Sequence, residues 1–353
     1  HFDQVNVNSF SCYRWITVIK KRQSLDCAPC RKTMRSRSAI GMACLMLMSI
    51  LSGCIETGDS GQLEETNDGD ILLPEWKVGN NWLYTFITPQ FGEDSARLVV
   101  AEIDNESGDY QVGISSEREA QRHAVINHNP FLGRMTIDGL SVYENGIPQQ
   151  VFSFPWTVGD QWSFILFGQE WSATTVSINN GNARVSAESS EGHELQYTFS
   201  GSDGFLERLV WEDSDGRNQL RMDLNVARSE YQGDVFFYRA RDLIDRLYEE
   251  NDQEIYDSFF DDGHPTEGDW DTLVWYLDVE IASNGASSGS LTMKDHAGAS
   301  PLTRAWGSGA TEKGAIGTIP SNSGDYSLTV TVRGQSSYIH LKVAGALVFQ
   351  WSL

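Results

Sequence analysis

The chain has 353 residues, with 26 Lys and Arg against 49 Asp and Glu, which gives a formal net charge of −23. This length exceeds what one small core fills, so about two domains are expected. An acidic surface repels phosphate groups, which excludes nucleic acid as a partner and leaves cationic partners, metal ions, glycans or plain solubility as its purpose.

The charge is divided unevenly along the chain. Residues 1–53 carry eight Lys and Arg and only two Asp and Glu, so the acidic excess lies in the remainder. Cys27 and Cys30 have the spacing of a redox pair, but they stand in a basic stretch without a strand–helix context, so no redox chemistry is expected. All five cysteines lie in the first sixth of the chain: Cys12, Cys27, Cys30, Cys44 and Cys54.

Residues 34–53 have the order of a lipoprotein signal peptide. A short positive leader begins at Met34, and residues 39–51 form an apolar run of about a dozen residues, too short to span a bilayer comfortably. The run ends in Leu51, Ser52, Gly53 and Cys54, which resembles the lipobox of bacterial lipoproteins and of similar archaeal surface proteins. This resemblance implies cleavage before Cys54 and a diacylglycerol on its thiol. The alternative is a buried helix that happens to contain Cys54.

Because a signal peptide begins at or near the initiator, residues 1–33 are expected to be an upstream or non-native extension. Residues 54–71, after the cysteine, are rich in Glu, Asp, Gly, Ser and Thr and predict an acidic, disordered tether. A flexible chain of this length reaches about 20–25 Å, which is enough to hold a folded body clear of a membrane surface.

Residues 72–226 consist of short alternating runs separated by turn residues, the pattern of an antiparallel β-meander. Residues 179–182 and 213–216 contain Asn, Asp and Gly, which accept positive φ, so each predicts a hairpin turn. The expected strands include residues 98–103, 110–115, 135–140, 171–178, 183–187, 195–200 and 220–226.

One phrase occurs twice, as WKVGNNWLY at residues 76–84 and WTVGDQWSF at residues 156–164. Each copy has a proline in its lead-in, a Val-Gly-Asn/Asp turn and a strand that opens with alternating aromatics, which predicts two similar half-sheets. Trp82 and Trp162 are expected in the core, with sugar or lipid contacts as the alternative. Together with residues 204–206, the phrase resembles β-rich envelope lipoproteins, similar to lipoprotein-carrier and lipocalin-like folds.

Residues 234–250 place apolar side chains at helical spacing and predict one amphipathic helix with Asp234 as its cap. A last strand is the alternative for the first of these residues, because 235–238 also favour β structure.

The acidic residues 251–271 are interpreted as an interdomain linker. Alternating runs return from residue 272 and predict a small β-sandwich over 272–353. Within it, residues 323–330 resemble the closing strands of pre-peptidase-like and other extracellular accessory sandwiches, which implies a binding or spacing module.

The fold class expected is therefore mainly β: an antiparallel curved sheet or half-open barrel with one helix over 72–250, followed by the sandwich.

No nucleophile elbow, metalloprotease motif or dinucleotide fingerprint is present, and Ala315 stands where a phosphate loop needs lysine. The acidic run at 257–271 lacks the spacing of a calcium loop. No catalytic residue, metal or cofactor is expected, and the ligand-binding residues are unknown. The histidines beyond the tether are scattered singly: His123, His128, His193, His264, His296 and His340.

Together these features predict a lipoprotein at the extracytoplasmic face of the cell envelope, in contact with the membrane through Cys54 and with a non-catalytic ligand- or partner-binding role. A cell-surface hydrolase of glycans or peptides is one alternative, because Glu249, Glu250 or other carboxylates could act as acid and base about 5–10 Å apart in a cleft. A purely structural role in envelope assembly is another, favoured by a solidly packed β-domain.

Overall fold

A computed structural model describes residues 71–89, 92–127, 129–250, 253–263 and 270–353. The predicted extension 1–33, the signal segment 34–53 and nearly all of the tether 54–71 lie outside these residues. So do Leu51, Ser52, Gly53 and Cys54, and the Cys27 and Cys30 pair.

Period-two alternation forms the strands of the first half. In β9, Ala183, Val185 and Ala187 are buried while the residues between them face solvent. The predicted β-meander is confirmed. Its strands are β1 (Asn81–Thr88), β2 (Gly92–Asp104), β3 (Asp109–Ile114), β4 (Gly133–Thr136), β5 (Val142–Glu144), β6 (Ile147–Gln149), β7 (Gln161–Leu166), β8 (Gln169–Asn179), β9 (Asn182–Ser189), β10 (Glu194–Ser200), β11 (Phe205–Glu212) and β12 (Asn218–Arg228).

These strands form an open antiparallel sheet in the order β7-β8-β9-β10-β11-β12-β1-β2-β3, with β4, β5 and β6 continuing from β3. The turn predicted at 179–182 joins β8 to β9, and both Asn180 and Gly181 have positive φ, of 52° and 74°. Strands that follow one another in the chain therefore pair with one another, except that β6 and β7 do not pair and β1 pairs with β12.

The second half is also made of strands. They are β13 (Asp234–Glu249), β14 (Ile255–Asp261), β15 (Thr272–Glu280), β16 (Ser288–Lys294), β17 (Leu302–Trp306), β18 (Thr311–Pro320), β19 (Gly324–Arg333) and β20 (Tyr338–Ser352). Strands β13, β20, β15 and β18 continue the long sheet beyond β3, and a second sheet has the order β14-β19-β16-β17. The second sheet covers one face of β13, β20, β15 and β18, so the predicted C-terminal sandwich is present, with β13 and β14 added to it from upstream.

The helix predicted over 234–250 is wrong, because these residues form β13, which pairs with β20 along its length. A β-bulge between Asp242 and Ile244 shifts the register and reverses which residues point to which face. Before the bulge, Tyr238 and Ala240 face the first core, whereas Ile244 and Tyr248 face the second. The reversal breaks the period of two and imitates helical spacing.

The one α-helix of the described residues lies elsewhere. Helix α1 (Glu117–Arg122) is capped by Ser116, whose hydroxyl accepts from the amide of Glu119 at 3.4 Å, and it continues into a π-helical turn, His123–Asn127. This segment packs on the face of β13, β15 and β20 that the second sheet leaves uncovered.

The linker predicted over 251–271 is wrong in its middle, where β14 pairs with β19. Its acidic residues serve inside the fold: Asp261 is fully buried and accepts a hydrogen bond from Trp270 Nε1 at 2.5 Å. Asp257 accepts from the Tyr248 hydroxyl at 3.0 Å. These partners remove the cost of burying carboxylates, so acidic composition did not indicate a solvated linker here. Residues 251–252 and 264–269 of the predicted linker lie outside the description.

The described residues form two large hydrophobic cores and one small cluster around Val99, Ala101 and Val235. The first lies beneath β1–β12 and is rich in aromatic side chains, and the second lies between the two sheets of the C-terminal half. Some residues of β13, β15 and β20 pack into the first core, so the halves share apolar contacts as well as backbone pairing.

Candidate functional site

The repeated phrase forms the same local structure twice. Gly79 and Gly159 have φ of 87° and 89°, a region that only glycine adopts readily. The amide of Gly79 donates to the Val100 carbonyl at 2.9 Å, and that of Gly159 donates to the Thr175 carbonyl at 2.8 Å. Each turn therefore holds its strand against the next one, and the two turns are equivalent. The predicted similarity of the half-sheets is not found, because β1 pairs with both β2 and β12 whereas β7 lies at the edge of the sheet beside β8.

The tryptophans of the first copy belong to the core. Trp76 and Trp82 are each 3% exposed, with ring centroids 4.9 Å apart. Their indole N–H groups donate to the carbonyls of Gly204 at 2.9 Å and Asp203 at 2.8 Å. Residues 204–206, which share with the phrase the resemblance to envelope lipoproteins, thus begin beside it.

The second copy is more open. Trp156 is 5% exposed, but Trp162 is only partly buried, and their ring centroids are 6.1 Å apart. Trp162 is equivalent to Trp82 in the chain, yet it lies at the margin of the core.

Since alternate residues of each strand fill the core, the others form a solvent-facing surface on the same sheet. Three consecutive strands, β9, β10 and β11, shape this surface into an open groove of about 510 Å³. Beneath it lies solid core, because Tyr197 and Phe199 of β10 are fully packed. The groove is lined by Arg184, Glu194, Gln196, Tyr197, Thr198, Glu207, Arg208, Val210 and Glu212.

The strand register orders the charges of the groove in rows. Glu194 lies directly opposite Glu188 on one side and Glu212 on the other, so three carboxylates form one row. Like charges directly opposite one another repel, which favours a cationic group at this end.

Four residues away on each of the same strands, a second row consists of Arg184, Thr198 and Arg208. Gln196 stands between the two rows and accepts from Arg184 Nη2 at 3.3 Å. Arg208 Nε lies 3.6 Å from Asp223 Oδ1, and 53% of its side chain is exposed, so its guanidinium is accessible to an anionic group. The groove therefore has three carboxylates at one end, Gln196 in the middle and two guanidiniums at the other end, where Glu207 also lines it.

A second polar cluster lies on the C-terminal half, on the same face of the long sheet as α1. Asp245 Oδ1 lies 2.6 Å from His340 Nε2, and Lys342 Nζ lies 2.9 Å from Asp245 Oδ2. Burial alone would raise the pKa of Asp245, but the hydrogen bonds and positive charges of His340 and Lys342 lower it to about 2. These groups satisfy one another, which is the arrangement of a structural ion pair.

The same face carries Lys313, which contacts the Tyr338 hydroxyl and lies 3.2 Å from Glu280 Oε2. Burial opposes its charge, but these hydrogen bonds and the carboxylate of Asp278 raise the pKa of Lys313. The cluster thus continues as paired charges to the edge of the sheet.

The histidines in the described residues do not come together. His123 is 4% exposed and packs edge-on against Phe86, with centroids 5.0 Å apart. His193 accepts from Trp211 Nε1 at 3.3 Å. His128 and His264 lie outside the description. Within the described ranges, no three His, Cys, Asp or Glu side chains are grouped as metal ligands, and no helix there has the length and apolar character needed to cross a bilayer.

No sequence motif indicated the groove residues. The available signal was a series of long polar side chains at alternating positions of three successive hairpin strands, such as Glu194, Gln196 and Thr198. Alternation predicted that these residues face solvent, but only the register brings Arg184 and Arg208 to the same level.

No family model and no curated protein matches this chain. Among solved structures, it is similar to a glycoside hydrolase family 43 arabinoxylan arabinofuranohydrolase from Bacillus subtilis, with 9% identity over 71% of this chain and 64% of that one and a TM-score of 0.17. MucB in complex with MucA(peri) gives 6% identity over 78% and 94% of the two chains and a TM-score of 0.20.

An exo-β-1,3-galactanase from Phanerochaete chrysosporium gives 11% identity over 72% and 65% of the two chains and a TM-score of 0.14. The chain spans less than two thirds of the length of either hydrolase. All three TM-scores are far below those of proteins that share a fold, so these likenesses assign no activity to this chain.

Proposed function

We propose that the protein is a lipoprotein of the cell envelope, anchored through a diacylglycerol on Cys54 at the extracytoplasmic face of a membrane. Its folded part is a non-catalytic binding module that takes a polar ligand or partner segment in the groove on β9, β10 and β11. The anchor is supported by the leader, the apolar run and the lipobox in their required order.

The observation that carries the binding role is the division of charge along the groove. A row of three carboxylates and a row with two guanidiniums lie on one open face, separated by Gln196. A ligand with cationic and anionic groups at matching separation, such as an extended peptide segment or a charged glycan, pairs with both rows. Complementary charges steer such a partner and set its orientation in the groove.

The lining disfavours a lipid tail. Of the lining side chains, most are charged or polar, and Val210 is the one aliphatic member. An acyl chain lying here would remove water from the carboxylates and guanidiniums without offering them hydrogen bonds, at a cost of several kcal/mol per charge.

The anchor is tested by mass spectrometry of protein extracted from membranes. We expect a diacylglycerol-bearing peptide that begins at Cys54, and we expect Cys54→Ser to release the protein or leave it unprocessed. Mature protein with an intact Gly53–Cys54 bond overturns the anchor.

The groove is tested by binding of the purified protein to arrays of envelope glycans and extended peptides. The double variant Arg184→Glu, Arg208→Glu should lose binding to an anionic array member by tenfold or more, on the order of one ion pair at each site. Arg333→Glu, an exposed arginine on β19 outside the groove, is the matched control and should bind as wild type does. Binding that survives the double variant contradicts the groove as the site.

One observation favours a hydrolase as the second candidate. Glu194 and Glu212 are directly opposite across β10 and β11, and directly opposed residues have Cα atoms about 4.5–5.5 Å apart. Glycosidases use a pair of carboxylates at short separation as their catalytic groups. Release of reducing ends from envelope glycans by wild type, lost in both Glu194→Gln and Glu212→Gln, would establish this reading in place of the binding module.

A further inference from the structure

A second cleft, of about 200 Å³, lies away from the groove, between the π-helical turn, the loop 129–132, β5 and the middle of β13. Its apolar wall includes Ala124, Leu132 and Phe237. The ring of Phe237 lies against Gly133, where an added Cβ would come within 2.7 Å of its Cζ, so this wall is closely packed. Tyr143, Glu144, Tyr238 and Arg239 contribute polar atoms to the lining.

One buried polar side chain of the cleft lacks a full set of hydrogen bonds. Asn129 lines the cleft and is 7% exposed. Its Oδ1 accepts from the amide of Phe131 at 3.0 Å, which fixes the orientation of the side-chain amide. Its Nδ2 is buried and has no hydrogen-bond partner among the residues that the structure describes. Buried donors in native proteins are nearly always paired, so an unpaired one in the wall of a cleft points to an acceptor supplied from outside.

The two tyrosine hydroxyls of the lining are already engaged. The Tyr143 hydroxyl donates to Asp109 Oδ1 at 2.9 Å, and the Tyr238 hydroxyl contacts Glu117 Oε1 at 3.0 Å. A ligand therefore meets a buried donor at Asn129 that requires an acceptor oxygen, and an apolar wall in the same cleft. A charged ligand would lie near both Glu144 and Arg239, one of which would attract it and the other repel it. A net charge would therefore not strengthen its binding.

We propose that this cleft binds a small neutral ligand of the N-acetylated amino sugar class, whose acetamido oxygen accepts from Asn129 Nδ2 and whose methyl group packs against Ala124 and Leu132. The acetamido group supplies the acceptor and the apolar part within one small unit, which suits a cleft of this volume. The pyranose ring then lies toward Phe237 and the polar lining. The site is separate from the groove on β9, β10 and β11 and does not depend on it.

The test is titration of the full chain with N-acetylglucosamine and with glucose, followed by NMR chemical shifts and ligand-observed saturation transfer. Wild type should bind N-acetylglucosamine on the order of tenfold more tightly than glucose, because glucose lacks the acetamido group. The shifts should map to the π-helical turn, the loop 129–132 and β13.

Two variants and two controls decide the outcome. Asn129→Asp removes the donor with little change of shape and should weaken N-acetylglucosamine binding on the order of tenfold. Asn225→Asp, an exposed asparagine on β12, is the matched control and should bind as wild type does. Ala240→Leu, which fills the cleft from β13, should also abolish binding and covers the case in which Asn129→Asp does not fold. Arg208→Glu in the groove should leave this binding unchanged.

The proposal is overturned if wild type does not bind N-acetylglucosamine, if glucose binds equally well, or if both Asn129→Asp and Ala240→Leu bind as wild type does. Loss of binding in Arg208→Glu, with shifts that map to β9, β10 and β11, overturns it as well and assigns the sugar to the groove instead.

Discussion

Ile114 of β3 and Phe236 of β13 form the one registered residue pair that joins the two halves of the long sheet within the described residues. The strands approach closely here because Gly113 precedes Ile114: a Cβ at Gly113 would lie 2.9 Å from the Phe236 carbonyl oxygen and 2.6 Å from Val235 Cγ1. A glycine is therefore required for backbone contact between the halves.

Gly113→Ala is expected to destabilise the protein by about 1–3 kcal/mol, since the methyl group must push β13 away from β3. Gly307→Ala is the control, because a Cβ there meets nothing within 4 Å and should change stability by no more than about 0.5 kcal/mol. Urea unfolding of both variants measures the difference. Equal midpoints would show that the seam tolerates a side chain.

Substitutions in β13 distinguish the strand from the helix predicted by spacing. Ile244 is 6% exposed and Leu247 is 57% exposed, whereas both would face the core in an amphipathic helix. Ile244→Ala should cost about 2–5 kcal/mol as a core cavity, and Leu247→Lys should change stability by no more than about 0.5 kcal/mol. A large loss for Leu247→Lys, measured by thermal unfolding, would favour the helix.

Trp82 and Trp162, the equivalent tryptophans of the repeated phrase, should contribute unequally to the free energy of unfolding. Trp82→Ala removes a buried ring and its hydrogen bond to Asp203, and it should cost about 3–5 kcal/mol. Trp162→Ala removes a partly buried ring and should cost about half as much. Denaturant unfolding compares them. If both variants kept wild-type stability but lost ligand binding, the tryptophans would be surface contacts rather than core.

The Asp245 ion pair predicts acid sensitivity. The pKa of Asp245 is lowered from its ordinary value of 3.8 to about 2. The stabilisation that its ionised carboxylate gives the folded state is therefore fully present above pH about 4 and is lost as the pH falls toward 2. Because nearly half of its side chain is exposed, the contribution is about 1 kcal/mol after allowance for solvent screening.

Asp245→Asn should therefore lower stability at pH 6 but not at pH about 2, where the wild-type carboxyl is itself becoming protonated. Asp138→Asn, at an exposed turn position, is the control and should change stability at pH 6 by no more than about 0.5 kcal/mol. Unfolding free energies from pH 2 to 7 provide the measurement. If Asp245→Asn were less stable than wild type by the same amount at pH 2 as at pH 6, the loss would come from altered packing and not from the ion pair.

The sequence by itself determined much of the local structure. Alternation in residues such as Ala183, Val185 and Ala187 identifies a strand, because a strand places successive side chains on opposite faces whatever it later pairs with. Asn180 and Gly181 identify the hairpin turn, since positive φ is a property of the residues themselves. The twofold WxVG phrase likewise predicted two equivalent turns, which the backbone hydrogen bonds of Gly79 and Gly159 confirm.

Only the tertiary structure decided the features that depend on partners far apart in the chain. The bulge between Asp242 and Ile244 arises from pairing with β20, about a hundred residues later, and no local pattern distinguishes it from a turn of helix. Asp261 is buried because Trp270 and Ser321 supply donors, so its environment is invisible in a run of acidic letters. The rows of charge in the groove exist because hydrogen bonding across β9, β10 and β11 sets the register that brings Arg184 level with Arg208, and register is a property of paired strands rather than of any single one.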